Sequence, residues 1–183
     1  MATPPDFVAG QVLTAAQMNK IGLWTVKNET TFTAASSVTA DGIFTDDFND
    51  YLILFTTTAT GTGNPNLALQ FRASGVTANT NYNVSQLVIT TVATISRATS
   101  QTSLVFGVAD NALPCVTAIR LFGPQKTQRT AYMSDHLWGD TVALPEQYIF
   151  KGVHDTAAAY DGFIVTPASS TITGYYSVYG YNE

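Results

Sequence analysis

The sequence predicts an all-β protein: an antiparallel, jelly-roll-like β-sandwich over residues 38–183, preceded over residues 1–37 by an extended arm, one short α-helix and a linker. Two observations predict it. From Phe44 onward, short runs rich in Val, Ile, Thr, Tyr and Phe alternate with clusters of Gly, Pro, Asn and Asp. β-Branched and aromatic side chains fit a pleated surface, and the turn formers supply the tight connections between strands. After Phe44 nothing reads as a long amphipathic helix, and no segment repeats at the fixed period of a solenoid or propeller.

The opening residues Met1 to Asp6 contain Pro4 and Pro5 and no apolar period, which reads as an extended arm. In Thr14-Ala15-Ala16-Gln17 the threonine hydroxyl can accept from a free amide of the first helical turn while Gln17 reaches back to the threonine amide, a capping box. Good helix formers follow, and Gly22 is a natural stop. A helix of about two turns does not persist alone. Phe7, Val12, Leu13, Met18, Ile21, Leu23 and Trp24 are therefore expected to dock onto this domain or, preferentially, onto another protein. The polar stretch from Lys27 to Ser37 reads as a linker.

Strands are expected at Tyr51 to Thr58, Leu67 to Ala73, Tyr82 to Thr91, Ser103 to Val108, Cys115 to Phe122, Arg129 to Ser134, Gln147 to Val153, Gly162 to Thr166 and Ile172 to Tyr181. The first is apolar on both faces at its start, and it is expected to pair with the second across the turn-rich Gly61 to Asn66. The last places Tyr175, Tyr179 and Tyr181 on one face and Ile172, Gly174, Tyr176, Val178 and Gly180 on the other. Its tyrosines either bury their rings with hydroxyls at the rim or form a stripe for contact with a subunit or ligand.

Composition narrows the function classes. The chain is 45% hydrophobic but only 11% charged, against roughly 25% charged in an average soluble domain. Low charge suits surfaces that meet other protein surfaces, where desolvating ions is costly. A net charge of −5 argues against nucleic acid as a partner. No window resembles a membrane span or a secretory signal, so synthesis in the cytoplasm without membrane insertion is the expectation. The single cysteine, Cys115, sits among Leu113, Pro114 and Val116 and reads as a buried small hydrophobe.

Sites for chemistry are sparse. His136 and His154 each stand beside an aspartate, but strand neighbours point to opposite faces, so neither pair chelates. Each histidine reads as hydrogen-bonded in a loop or at a rim, with a site built from both as the alternative. Asp46, Asp47, Asn49 and Asp50 bring oxygens together without the EF-hand pattern. No nucleophile elbow or phosphate cradle is present. Carboxylates for glycoside cleavage are conceivable among Asp46, Asp47, Asp50, Asp135, Asp140, Glu146 and Asp161, residues that more ordinarily form turns. The expectation is a non-enzyme with no catalytic residues, metal or cofactor.

The segment Asp6-Phe7-Val8-Ala9-Gly10-Gln11-Val12-Leu13-Thr14-Ala15-Ala16-Gln17-Met18-Asn19 resembles the N-terminal motif F-x-x-G-x-x-L-T-A-A-x-M-N of bacteriophage virion structural proteins: short tail fibres, minor tail proteins, receptor-binding proteins and head-decoration proteins. Asp46 to Leu54, Leu67 to Gly75 and Gly174 to Tyr181 look like parts of the β-sandwich modules of that family. The resemblance implies a virion component, commonly homotrimeric, held to other virion proteins by its N-terminal segment and located on the tail or capsid surface. It leads to the expectation of host adhesion through a cell-surface receptor or glycan, with a purely structural capsid or head-fibre role as the alternative and a glycan-degrading tail enzyme as a remote one.

Overall fold

A computed structural model describes residues 22–90, 92–138 and 146–181. The expected arm and helix lie outside them. Every described element is a strand: β1 (Trp24–Ala35), β2 (Val38–Ala40), β3 (Asp50–Thr60), β4 (Asn66–Ala73), β5 (Val76–Thr77), β6 (Tyr82–Ile89), β7 (Ala93–Gln101), β8 (Leu104–Val108), β9 (Cys115–Phe122), β10 (Gln128–Trp138), β11 (Glu146–Ala158), β12 (Gly162–Pro167) and β13 (Ile172–Tyr181).

They form two antiparallel sheets. The larger has eight strands in the order β1-β13-β3-β9-β10-β11-β6-β7; in the smaller, β2-β12-β4-β5 run side by side and β8 pairs with β4. Each of the nine expected strands is present. The structure corrects two other expectations. Trp24–Ala35, read as the end of the anchor and a linker, is an edge strand hydrogen-bonded to β13 along Trp24↔Gly180 to Ala35↔Ile172. Val26, Phe32 and Ala35 do face the core, but register shifts and the polar run Lys27 to Thr31 interrupt the alternation that would have marked the strand in sequence. Nor do β3 and β4 pair with each other: β3 lies between β13 and β9, and β4 beside β12. Chain neighbours here take opposite sheets, so that each buries its apolar row against the other.

One core joins the sheets. Tyr51, Ile53 and Phe55 of β3 and Tyr176 and Val178 of β13 meet Leu67, Leu69 and Phe71 of β4 and Phe163 and Val165 of β12, all essentially inaccessible. Aromatic rings bridge the layers: Phe55 lies edge-on to Phe106 at 5.7 Å, Phe163 to Tyr176 at 5.8 Å, and Phe71 stacks with Tyr82 at 6.1 Å. Such pairs add about 0.5–1.5 kcal/mol each beyond the area they bury.

β10 supplies a second kind of link. Only one edge of β8 is paired, and the other presents backbone groups that need partners. Inward side chains two residues apart on β10 satisfy them: Tyr132 Oη donates to Val105 O at 3.0 Å, Ser134 Oγ donates to Phe106 O at 3.0 Å, and His136 Nε2 accepts from Val108 N at 3.1 Å. The period-two spacing of a strand is what lets three consecutive inward residues serve one edge.

Candidate functional site

Four connections converge at one end of the molecule around a pocket of about 280 Å3, lined by Phe44, Thr45 and Asp46 before β3, Ala73 at the end of β4 and Ser74 after it, Gln125 before β10, and Ala159, Tyr160 and Asp161 before β12. Asp161 is the organiser. Its N–H donates to Arg72 O at 3.0 Å, its carbonyl accepts from Ile43 N and Phe44 N at 2.8 and 3.0 Å, and its Oδ2 accepts from Ser74 N at 2.9 Å. Ser74 takes a left-handed φ of 50° that turns its amide toward that carboxylate. Gln125 is held through Nε2, which donates to Phe48 O and to Asn49 O.

The second oxygens of both groups, Asp161 Oδ1 and Gln125 Oε1, are buried and have no hydrogen-bond partner among the described residues. A buried acceptor left unpaired costs about 1–3 kcal/mol. Those two oxygens are sealed from solvent, and Phe44 and Tyr160 belong to the core, so the pocket offers the polar residues Thr45, Asp46 and Ser74 over a floor of buried groups.

Tyr160 connects this cavity to one of the two histidines. Its ring stacks on Phe71 at 5.0 Å and its hydroxyl lies 3.0 Å from His154 Nδ1, while His154 Nε2 lies 3.0 Å from Thr80 O. A carbonyl only accepts, so Nε2 carries the proton and Nδ1 accepts from Tyr160. His136 has the opposite tautomer: the Val108 amide requires a bare Nε2, and Nδ1–H donates to Thr117 Oγ1 at 2.7 Å. Burial pushes the His136 imidazole down to about 4 and lowers that of His154, so both are neutral at pH 7. Gly107 makes room for His136, since a Cβ there would stand 2.8 Å from Nδ1.

The histidines do not meet. In the β10–β11 ladder His136 opposes Tyr148 and His154 opposes Thr130, six residues further along and so roughly 20 Å away. Among the described residues no group of three or more His, Cys, Asp or Glu is placed to hold a metal ion. Both histidines are structural hydrogen-bonding groups of the interior.

The other residues singled out from the sequence scatter. Phe7, Val12, Leu13, Met18 and Ile21 lie outside the described residues, as does Asp140; Leu23 is exposed and Trp24 opens β1. Tyr175, Tyr179 and Tyr181 face outward from β13 while Ile172, Gly174, Tyr176, Val178 and Gly180 are buried, and Tyr175 sits beside Thr56 and Tyr179 beside Leu52 on β3. Of the carboxylates weighed for glycan chemistry, Asp46 and Asp161 share the cavity. Asp50 Oδ1 accepts from Gly123 N, Asp47 from Thr45 Oγ1, Glu146 from Tyr148 Oη, and Asp135 stands on the outer face of the large sheet. Gln125 and Ser74 carried no sequence signal, because four separate connections build the cavity and no local motif spans them.

Fold and site define an antiparallel all-β protein with a loop-lined pocket at one end. Comparison with protein-family models, curated proteins and solved structures found no match.

Proposed function

We propose that the chain is a non-enzymatic bacteriophage virion protein, attached to the particle through residues 1–21, whose two sheets form a jelly-roll-like sandwich that presents its end loops for host adhesion. The N-terminal motif from Phe7 to Asn19 supports the virion assignment. The adhesion role rests on one observation: a pocket of about 280 Å3 where four connections meet at one end of the molecule, with Thr45, Asp46, Ser74, Gln125 and Asp161 among its lining residues. Sugar hydroxyls exchange hydrogen bonds with polar loop residues of this kind, so a cell-surface glycan is the ligand class of this reading.

The test is competition. Purified chain is expected to block phage adsorption to host cells, and Asp161→Asn with Gln125→Ala is expected to lose that block while remaining folded. Normal adsorption by particles that lack the chain would refute the reading, and sugar release from host polysaccharide would replace it with the enzymatic one.

A second reading, a purely structural capsid or tail component, is favoured by the outer face of the large sheet, where Leu54, Val116, Leu137 and Ile95 are exposed. It predicts that particles without the chain lose completeness or stability and keep host attachment.

A further inference from the structure

The geometry points to the outer face of the eight-stranded sheet as the place where a second copy of this chain packs, sheet against sheet, about a two-fold axis. The inference depends on neither functional reading, and the mass of the purified chain tests it without particle or host.

Ten large hydrophobic side chains are exposed among the described residues, and six of them, Leu54, Ile89, Ile95, Val116, Leu137 and Tyr175, belong to this one face. They are contiguous by register. Tyr175 opposes Thr56, Thr56 opposes Val116, and Val116 opposes Leu137, so one row crosses four strands; Leu54 lies one row away and Ile95 adjoins Leu87 at the far edge. Single exposed hydrophobes need no explanation, but six of them gathered on one sheet face, three in a single row, do.

The size of the face identifies what covers it. Eight strands spaced about 4.8 Å apart span roughly 34 Å, and ladders of about eight residues at 3.3 Å run roughly 23 Å, giving about 800 Å2. That is about the area each partner contributes to a standard stable interface. The two-turn helix that the sequence places within residues 1–21 would be about 12 Å long and 10 Å wide, a small fraction of that area.

Charge selects the symmetry. From β3 to β7 the ions in the two middle rows of the face are Asp135 in one and Arg120, Lys151 and Arg97 in the next; Glu29 of the edge strand β1 adds a second anion on the Asp135 side, opposite Ser177. Arg120 and Lys151 flank Met133 of β10, and Met133 and Asp135 are successive outward residues of the same strand. A two-fold axis lying along the face, perpendicular to the strands and crossing β10 between Met133 and Asp135, exchanges the two rows. Asp135 of each copy then stands over Met133 of the other, about one strand spacing sideways from that copy's Arg120 and Lys151. Stacked sheets sit about 10 Å apart, a gap that arginine and lysine side chains reach across. An axis parallel to the strands would instead lay the cationic rows on each other, which Coulomb repulsion disfavours. The perpendicular axis also keeps strand directions aligned, as face-packed twisted sheets prefer.

Sedimentation equilibrium of the full chain, over a dilution series, is expected to give the mass of two copies that separate on dilution. Asp135→Arg is expected to raise the dissociation constant at least tenfold, and adding Arg120→Glu and Lys151→Glu to it is expected to restore the pair; circular dichroism checks that each variant is folded. A full chain that stays single at high concentration overturns the proposal. So does a mass of three copies, the number that the family resemblance implies, and so does a pair indifferent to Asp135→Arg. If the full chain is single but deletion of residues 1–21 opens the face to a hydrophobic dye, the N-terminal segment covers it and the proposal fails.

Discussion

The two faces of the eight-stranded sheet are made by the same strands yet follow opposite chemistry. On the inner face Tyr51, Ile53 and Phe55 are sealed under the smaller sheet, and even its polar members, Thr117, Thr130, Ser134 and His136, are buried. On the outer face Leu52, Leu54, Val116 and Leu137 are as apolar by type but remain half-buried or exposed. The comparison teaches that residue type and burial are separate facts: Ser134 and His136 enter the interior where the β8 edge needs partners, and apolar side chains of the same strands stay outside.

The sharpest way to test the contrast is truncation at adjacent residues of β3. Phe55→Ala, which empties a site touching Phe32, Phe106 and Tyr176, is expected to cost about 3–5 kcal/mol of unfolding free energy in a urea titration. Leu54→Ala, its neighbour on the outer face, is expected to cost under about 1 kcal/mol at protein concentrations low enough to keep the chain single.

Acid probes the buried polar residues next. The folded state holds His136 at about 4 against 6.5 when unfolded, so between these values the unfolded chain binds the proton that the folded chain refuses. The contribution is therefore whole above pH 6.5 and is lost as pH falls toward 4, an interval worth about 3 kcal/mol at 1.36 kcal/mol per pH unit. His154 acts with the same sign. Denaturation followed from pH 7 to 4 is expected to show this fall, shallower in His136→Gln. Equal slopes in the two proteins would remove His136 from the account.

A smaller effect tests whether side chains of β10 close the β8 edge. Ser134→Ala leaves Phe106 O without its donor and is expected to cost about 1–2 kcal/mol. Exchange of the β8 amides with deuterated solvent should quicken with it. The smallest change is Thr25→Val on the exposed strand β1, beside Tyr179, expected to shift stability by no more than about 0.5 kcal/mol in thermal unfolding.

Much of this contrast is written in the chain. The alternation of Ile172, Gly174, Tyr176, Val178 and Gly180 against Tyr175, Tyr179 and Tyr181 foretells which residues of β13 are buried, and the doubly apolar start of β3 marks a strand with apolar groups on both faces. β1 and β7 left no such mark. Both are edge strands: β7 is exposed along nearly all its length and so is under no demand to alternate, while β1 packs Val26, Phe32 and Ala35 on the core but breaks its alternation at three register shifts. The cavity was illegible for another reason: residues 44–46, 73–74, 125 and 159–161 carry no common motif and meet only after folding.

What the sequence by itself determined is therefore the direction of each side chain, since in an extended backbone successive residues point to opposite faces whatever lies beside them. Tertiary structure alone decided which strand lies next to which, setting β3 between β13 and β9 and away from β4. Backbone hydrogen bonds are the same for every pair of strands, so the choice among partners falls to the burial of whole faces, a quantity that belongs to the assembled sheets and to no single segment.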